Sequence, residues 1–330
     1  VSPIPVRRAG DLTGSVYRQV ERDFGLLAPP VALHSSAPPV MAACWLMLRE
    51  SLIVTGRVDR DTKEAVATAV SLCNVCPYCV DVHSMTLEAL GATAPDDPET
   101  DHAVRRMADW ARSCAHATTA REMPFPLAHV PELVGVVLTF HYINRMVNIF
   151  LPESPLPRGM PPAARTQALR MLGRFMRAPA RTQHEPGASL DLLPAAPLPS
   201  DLAWTRDHPP VAEAFARAAA AIDTAGTRSA PATVRTLLHH MLEDWTGDTP
   251  HNVAEAIDEL PSADRAAGRI AVRTALTPAQ VDASTIAEFR RTQPDDRSLI
   301  ELTSWASMSA ARRIGSWITA TLPKHDPSFG

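Results

Sequence analysis

Two cysteines three positions apart lie in the segment Cys76-Pro77-Tyr78-Cys79-Val80-Asp81-Val82-His83, with Glu64 upstream. A thiol pair at this spacing can close to a disulfide and reopen by exchange, with the thiolate as nucleophile. His83 follows Cys79 by four residues, which places both on one face of a helix. From there it can accept the Cys79 proton or return one to a leaving oxygen or sulfur. Glu64 can orient His83 or hold a relaying water, and the spacing does not choose between them. It also stands three residues after Asp61, where it can close a capping box at a helix start.

The elements that must position these groups are legible. Pro77 disfavours helical geometry in the residue before it and suits the first position of a new helix. Cys76 is therefore expected as the N-cap and Cys79 as the third helical residue, with Gly91 as the stop. At such a helix start the free N–H groups and the helix dipole favour a thiolate, so lowered thiol pKa values are expected. Helical periodicity also marks residues 39–55, 61–74, 80–90, 101–117, 131–151, 210–225, 230–244 and 298–322. Strand signals are nearly absent, and the fold class is read as all-α.

A dozen prolines crowd residues 152–210, interrupted by one helical stretch at 163–177. Proline at this density blocks continuous helix and sheet pairing, so the stretch reads as a connector draped over the surface. The chain divides into a helical part at 1–151, a Pro-rich connector at 152–199 and a second helical part at 200–330. The parts read as related: Cys76-Pro-Tyr-Cys-Val-Asp lies over Thr277-Pro-Ala-Gln-Val-Asp, with Arg265 and Ser284 opposite Glu64 and His83. The second part keeps the frame without the reactive groups, which gives one active site per chain.

Other chemistries fit less well. The run Cys73-x2-Cys76-x2-Cys79-x3-His83 has iron–sulfur-like spacing, but a helix start at Pro77 breaks the loop such clusters use, and no fourth cysteine is near. No second pair follows at zinc-site spacing. No cofactor or metal is therefore expected. A thioredoxin-like frame needs a strand before the motif, where residues 64–72 read as helix. Cys44, Cys73 and Cys114 read as buried small hydrophobes, and Tyr78 as packing or pocket lining. His141, Asn144, Arg145 and Asn148 recur at helical spacing as a polar stripe. They either make an interhelical or subunit contact or border the dithiol pocket.

A net charge of −4 gives no electrostatic case for nucleic acid. No apolar run approaching the ~18 residues of a membrane span was identified, so no membrane partner is expected. Five cysteines, three of them clustered, and no apolar leader at residues 1–8 point to a reducing, cytoplasmic setting.

The pattern Glu64-x11-Cys76-x2-Cys79-x3-His83 resembles the AhpD-like alkylhydroperoxidases of the carboxymuconolactone decarboxylase superfamily, most strongly over residues 57–92. Weaker similarity covers 140–148 and 264–317. The resemblance implies an AhpD-like helical fold, a homo-oligomer, and an antioxidant peroxidase reducing organic hydroperoxides with a dithiol or thiol-protein electron donor. It makes Cys79 the attacking thiol, Cys76 the resolving one, and Glu64 with His83 the proton relay. Tyr78 departs from the pattern, since the well-known bacterial enzymes carry a histidine there. The same family includes non-redox decarboxylase-type enzymes, and specialised biosynthetic enzymes or a partner-binding protein with a vestigial dithiol are the further alternatives.

Overall fold

The computed structural model describes residues 1–92, 102–320 and 322. In chain order the helices are α1 (Asp11–Phe24), α2 (Pro29–Ala32), α3 (Pro38–Leu48), α4 (Arg60–Cys73), α5 (Pro77–Leu90), α6 (His102–Ser113) and α7 (Val130–Phe150). They continue with α8 (Pro162–Arg181), α9 (Pro209–Ser229), α10 (Ala232–Glu243), α11 (Val253–Asp258), α12 (Arg265–Leu276), α13 (Ala283–Arg290) and α14 (Asp296–Ile318). No strand occurs among the described residues, and the protein is all-α. Asp101 and Thr321, at the edges of two expected helices, lie outside the described residues.

Helix starts follow local chemistry. Prolines open α2, α3, α5, α7, α8 and α9, where the missing N–H costs nothing and φ is preset. Asp282 and Asp295 cap α13 and α14 by accepting from Thr285 and Ser298 N–H. The capping box expected at Asp61 does not form. The helix starts one residue earlier behind Asp59, Asp61 accepts from its neighbour Thr62, and Glu64 turns inward. The helix expected over 39–55 also differs, since α3 ends at Leu48 and runs into a π-helical turn, Arg49–Ile53. That turn holds a buried Arg49, which pairs with Asp23 at 2.7 Å and Glu50 at 2.6 Å.

At the centre lies α7, buried from Val130 to Val147. It is long and apolar enough to cross a membrane by length and composition, a stretch the sequence reading passed over. However, 83% of its most apolar window is buried inside the protein, as in a core helix. It packs against α4 on one side and α14 on another, while α3 packs against α9. Helices before and after the Pro-rich stretch thus contribute to one continuous hydrophobic core.

The connector is more than a surface strap, because α8 packs along α5. Arg165 pairs with Asp81 near the start of α5, and Arg181 donates to the Leu90 carbonyl at its end, so the two helices run in the same direction. Between these points Gly173 permits the close approach: a Cβ there would lie 2.9 Å from the Met85 carbonyl oxygen. Further on, the Glu185 carbonyl accepts from Arg49 and the Gly187 N–H donates to Glu50, fixing the connector's far end.

Candidate active site

The α4–α5 turn sets the dithiol. Cys76 is the N-cap of α5 with Pro77 first inside it, and Gly91 ends the helix at φ +99°. Val75, just before Cys76, sits at φ +47°, a conformation that a β-branched residue adopts only under external constraint. The constraint is visible on both sides. Cys76 N–H donates to the Ser71 carbonyl at 2.9 Å, and the Asn148 amide donates to the Asn74 carbonyl at 2.9 Å.

The two sulfurs lie 2.8 Å apart, with the Cys76 thiol donating to Cys79. Disulfide closure at ~2.05 Å therefore requires less than about 1 Å of movement. Both cysteines are buried, Cys76 at 0% and Cys79 at 2% exposure. Burial pushes the Cys79 thiol well above its ordinary value, and the adjacent Cys76 adds to this, while a hydrogen bond from the Asn144 side chain opposes it. The activated thiolate expected from the helix start is thus not the resting state, because desolvation of a buried charge outweighs the N-terminal dipole.

His83 Nδ1 lies 2.6 Å from Glu64 Oε2, and the ring stands edge-on to Phe140 at 4.6 Å between centroids. Glu64 is fully buried, and its other oxygen accepts from Arg60 Nε at 2.8 Å. Burial opposes the Glu64 charge, but Arg60 and then His83 outweigh it and hold the carboxyl below its usual range. Glu64 therefore touches His83 directly as an anion, which fixes the ring's orientation.

A cavity of about 230 Å³ opens beside these groups. Cys79, His83 and Tyr78 line it together with apolar side chains from α1, α7 and the connector, Phe24, Phe140, Leu172 and Met176 among them. Cys76 and Glu64 are not in its wall and stand behind Cys79 and His83 respectively.

The polar stripe of α7 faces elsewhere. His141, Asn144 and Arg145 do not line the cavity. Asn144 accepts from Asn74 at 2.9 Å and donates to Ser71 at 3.1 Å, and His141 Nδ1 lies 3.1 Å from Asn74 Oδ1. Arg145 donates to the Ala275 carbonyl at 2.9 Å, tying α7 to α12. The stripe holds the α4–α5 turn and ties α7 to α12.

Sequence reasoning missed Arg60, although its position four residues before Glu64 is an ion-pair signal on a helix. It also missed Leu172, Met176 and Pro155, for which no local signal existed. Among the described residues, no group of three or more His, Cys, Asp or Glu side chains is placed to hold a metal.

Residues 38–123 match the family model described as the carboxymuconolactone decarboxylase family. Over 336 aligned residues the chain is 34% identical to an alkyl hydroperoxide reductase of Mycobacterium tuberculosis, an alignment covering 97% of this chain and 94% of that protein.

Proposed function

The chain belongs to the AhpD-like carboxymuconolactone decarboxylase family, and on that premise we propose that it reduces organic hydroperoxides through Cys79 and Cys76. One observation carries the reading: Cys79 and His83 share the wall of an apolar cavity, while Cys76 waits 2.8 Å behind Cys79. The relative's name, alkyl hydroperoxide reductase, supports the same reaction class.

In this mechanism a hydroperoxide enters the cavity and His83 takes up the Cys79 proton as attack begins. The Cys79 sulfur bonds to the distal oxygen, the O–O bond breaks, and His83 returns the proton to the leaving alkoxide as alcohol. Cys79 is left as a sulfenic acid. The Cys76 thiol then attacks that sulfur, forming the disulfide and releasing water. An external dithiol, or a thiol protein, restores the pair by exchange and is itself oxidised. Glu64 holds the imidazole in place throughout, and Arg60 keeps Glu64 ionised.

The test is mass mapping of the purified chain after one equivalent of cumene hydroperoxide. A Cys76–Cys79 disulfide in the wild type, and a Cys79 sulfenic acid trapped in Cys76→Ser, are expected. Full steady-state turnover in Cys79→Ser would sink the assignment. Burial of both sulfurs favours a second reading, a binding protein with a spent dithiol; a pair that stays reduced under this treatment would establish it.

We also read the chain as two related parts, 1–151 and 200–330, with 152–199 between them. Thr277 precedes Pro278 as Cys76 precedes Pro77, each at the start of a helical turn. As α4 packs on α7, so α12 packs on α14. With Gln280 opposite Cys79, the second part has no dithiol, which leaves one site per chain.

A further inference from the structure

The outer face of α8 carries apolar and basic side chains in two adjacent rows. Ala164, Ala168, Met171, Phe175 and Ala178 recur at alternating spacings of four and three, forming one apolar seam along the helix. At its centre Met171 is 61% and Phe175 59% exposed, large apolar side chains that solvent alone does not favour. Beside this seam runs a second, Arg170, Arg174, Arg177 and Arg181, all exposed. The helix has five arginines and no carboxylate, in a chain whose net charge is −4. Among the described residues, Arg170, Arg174 and Arg177 make no ion pair.

The opposite face of the same helix closes the reactive cavity through Leu172 and Met176. No Asp, Glu, Lys or Arg side chain lines that cavity. The helix therefore covers an apolar chamber on one side and presents exposed apolar anchors flanked by cations on the other.

We propose that α8 is a membrane-surface helix: it docks the protein on an anionic lipid bilayer, with Met171 and Phe175 entering the headgroup boundary and the arginine row on the lipid phosphates. The cavity beneath it would then receive apolar hydroperoxides from the lipid phase, a corollary that rests on the peroxidase reading, whereas the docking surface does not. A second copy of the chain fits this face poorly, because α8 offers its own arginines no carboxylate in either orientation. The expectation of no membrane partner rested on spanning runs, and a helix lying in the interface needs none. The charge and anchor pattern is the one such helices use, each arginine strengthening binding roughly fivefold near an anionic surface.

The experiment is co-sedimentation of the full chain with vesicles of equal parts phosphatidylglycerol and phosphatidylcholine, or of phosphatidylcholine alone. Binding to the anionic vesicles, at least roughly tenfold weaker without phosphatidylglycerol and weakened by salt, is expected. Arg170→Glu/Arg174→Glu and, separately, Met171→Ser/Phe175→Ser should each weaken it by roughly tenfold or more. A wild-type chain that does not sediment with anionic vesicles overturns the proposal. So does binding that survives Met171→Ser/Phe175→Ser and is displaced by soluble polyglutamate, which marks an acidic protein partner instead. Light scattering that shows the same variants dissociating an oligomer, without vesicle binding, overturns it in favour of self-association. Turnover of water-soluble tert-butyl hydroperoxide with dithiothreitol should be unchanged in both double variants. Vesicle binding without any turnover would overturn the peroxidase reading alone.

Discussion

Replacing Glu64 with Gln keeps the side chain's size and removes its charge at a fully buried position. Glu64 currently accepts from Arg60 at 2.8 Å and contacts His83 Nδ1 at 2.6 Å. Gln offers one acceptor, so one partner meets an amide N–H instead of an oxygen. A bond to a charged group is worth about 1.5–3 kcal/mol against about 0.5–1.5 kcal/mol for a neutral one. The loss should be about 2–3 kcal/mol at neutral pH, limited because Arg60, 14% exposed, can turn to water. The pH dependence has a definite sign. The folded Glu64 carboxyl lies below its unfolded value, so the unfolded chain binds more protons as the pH falls between the two. The wild-type advantage is therefore complete above about pH 5 and disappears as the pH drops through the folded value. Urea unfolding of both proteins from about pH 7 down to about pH 3 measures this. On the proposed mechanism turnover should fall on the order of 10²–10⁴-fold, since His83 would lose the group that fixes it for proton transfer. A kcat within twofold of wild type, or a stability loss equal at both ends of the pH range, would refute the reasoning.

Because burial raises the Cys79 thiol, iodoacetamide labelling of this residue, read by mass mapping, should climb about tenfold per pH unit through pH 7–9 rather than level off near neutrality. Gly173→Ala forces a methyl against the Met85 carbonyl; chemical denaturation should show a loss of about 1–3 kcal/mol, and the loosened α8 should speed Cys79 labelling at fixed pH. Lys63→Met strands the Glu132 carboxylate, now 2.6 Å from the ammonium with both side chains 1% exposed. A loss of about 3–5 kcal/mol in urea unfolding is expected, with a smaller loss in Lys63→Met/Glu132→Leu.

Much of the fold was legible because its signals are local. The all-α class, the α4 and α5 boundaries to within a residue, and the Pro77 start all follow from periodicity and proline chemistry. The π turn at Arg49–Ile53 was not, since it exists to pair Arg49 with Asp23, a residue 26 positions away. Amphipathic α1 escaped notice although Phe24 reaches the cavity from it. The polar stripe of α7 is visible in its helical spacing, but what it faces depends on which helices surround it.

Within the site, the sequence by itself determined which groups meet: a dithiol on one helical turn, with a histidine on the same face and a carboxylate within reach. Residue type and helical period suffice for that. Tertiary structure decided what the groups experience. Packing buried both sulfurs and so reversed the direction of the Cys79 shift, because desolvation depends on everything around a group and not on its neighbours in the chain. Packing also brought α8 over the cavity, since a close approach at Gly173 depends on the facing surface of α5. Which thiol lines the cavity, and which side of α8 meets solvent, depend on such packing.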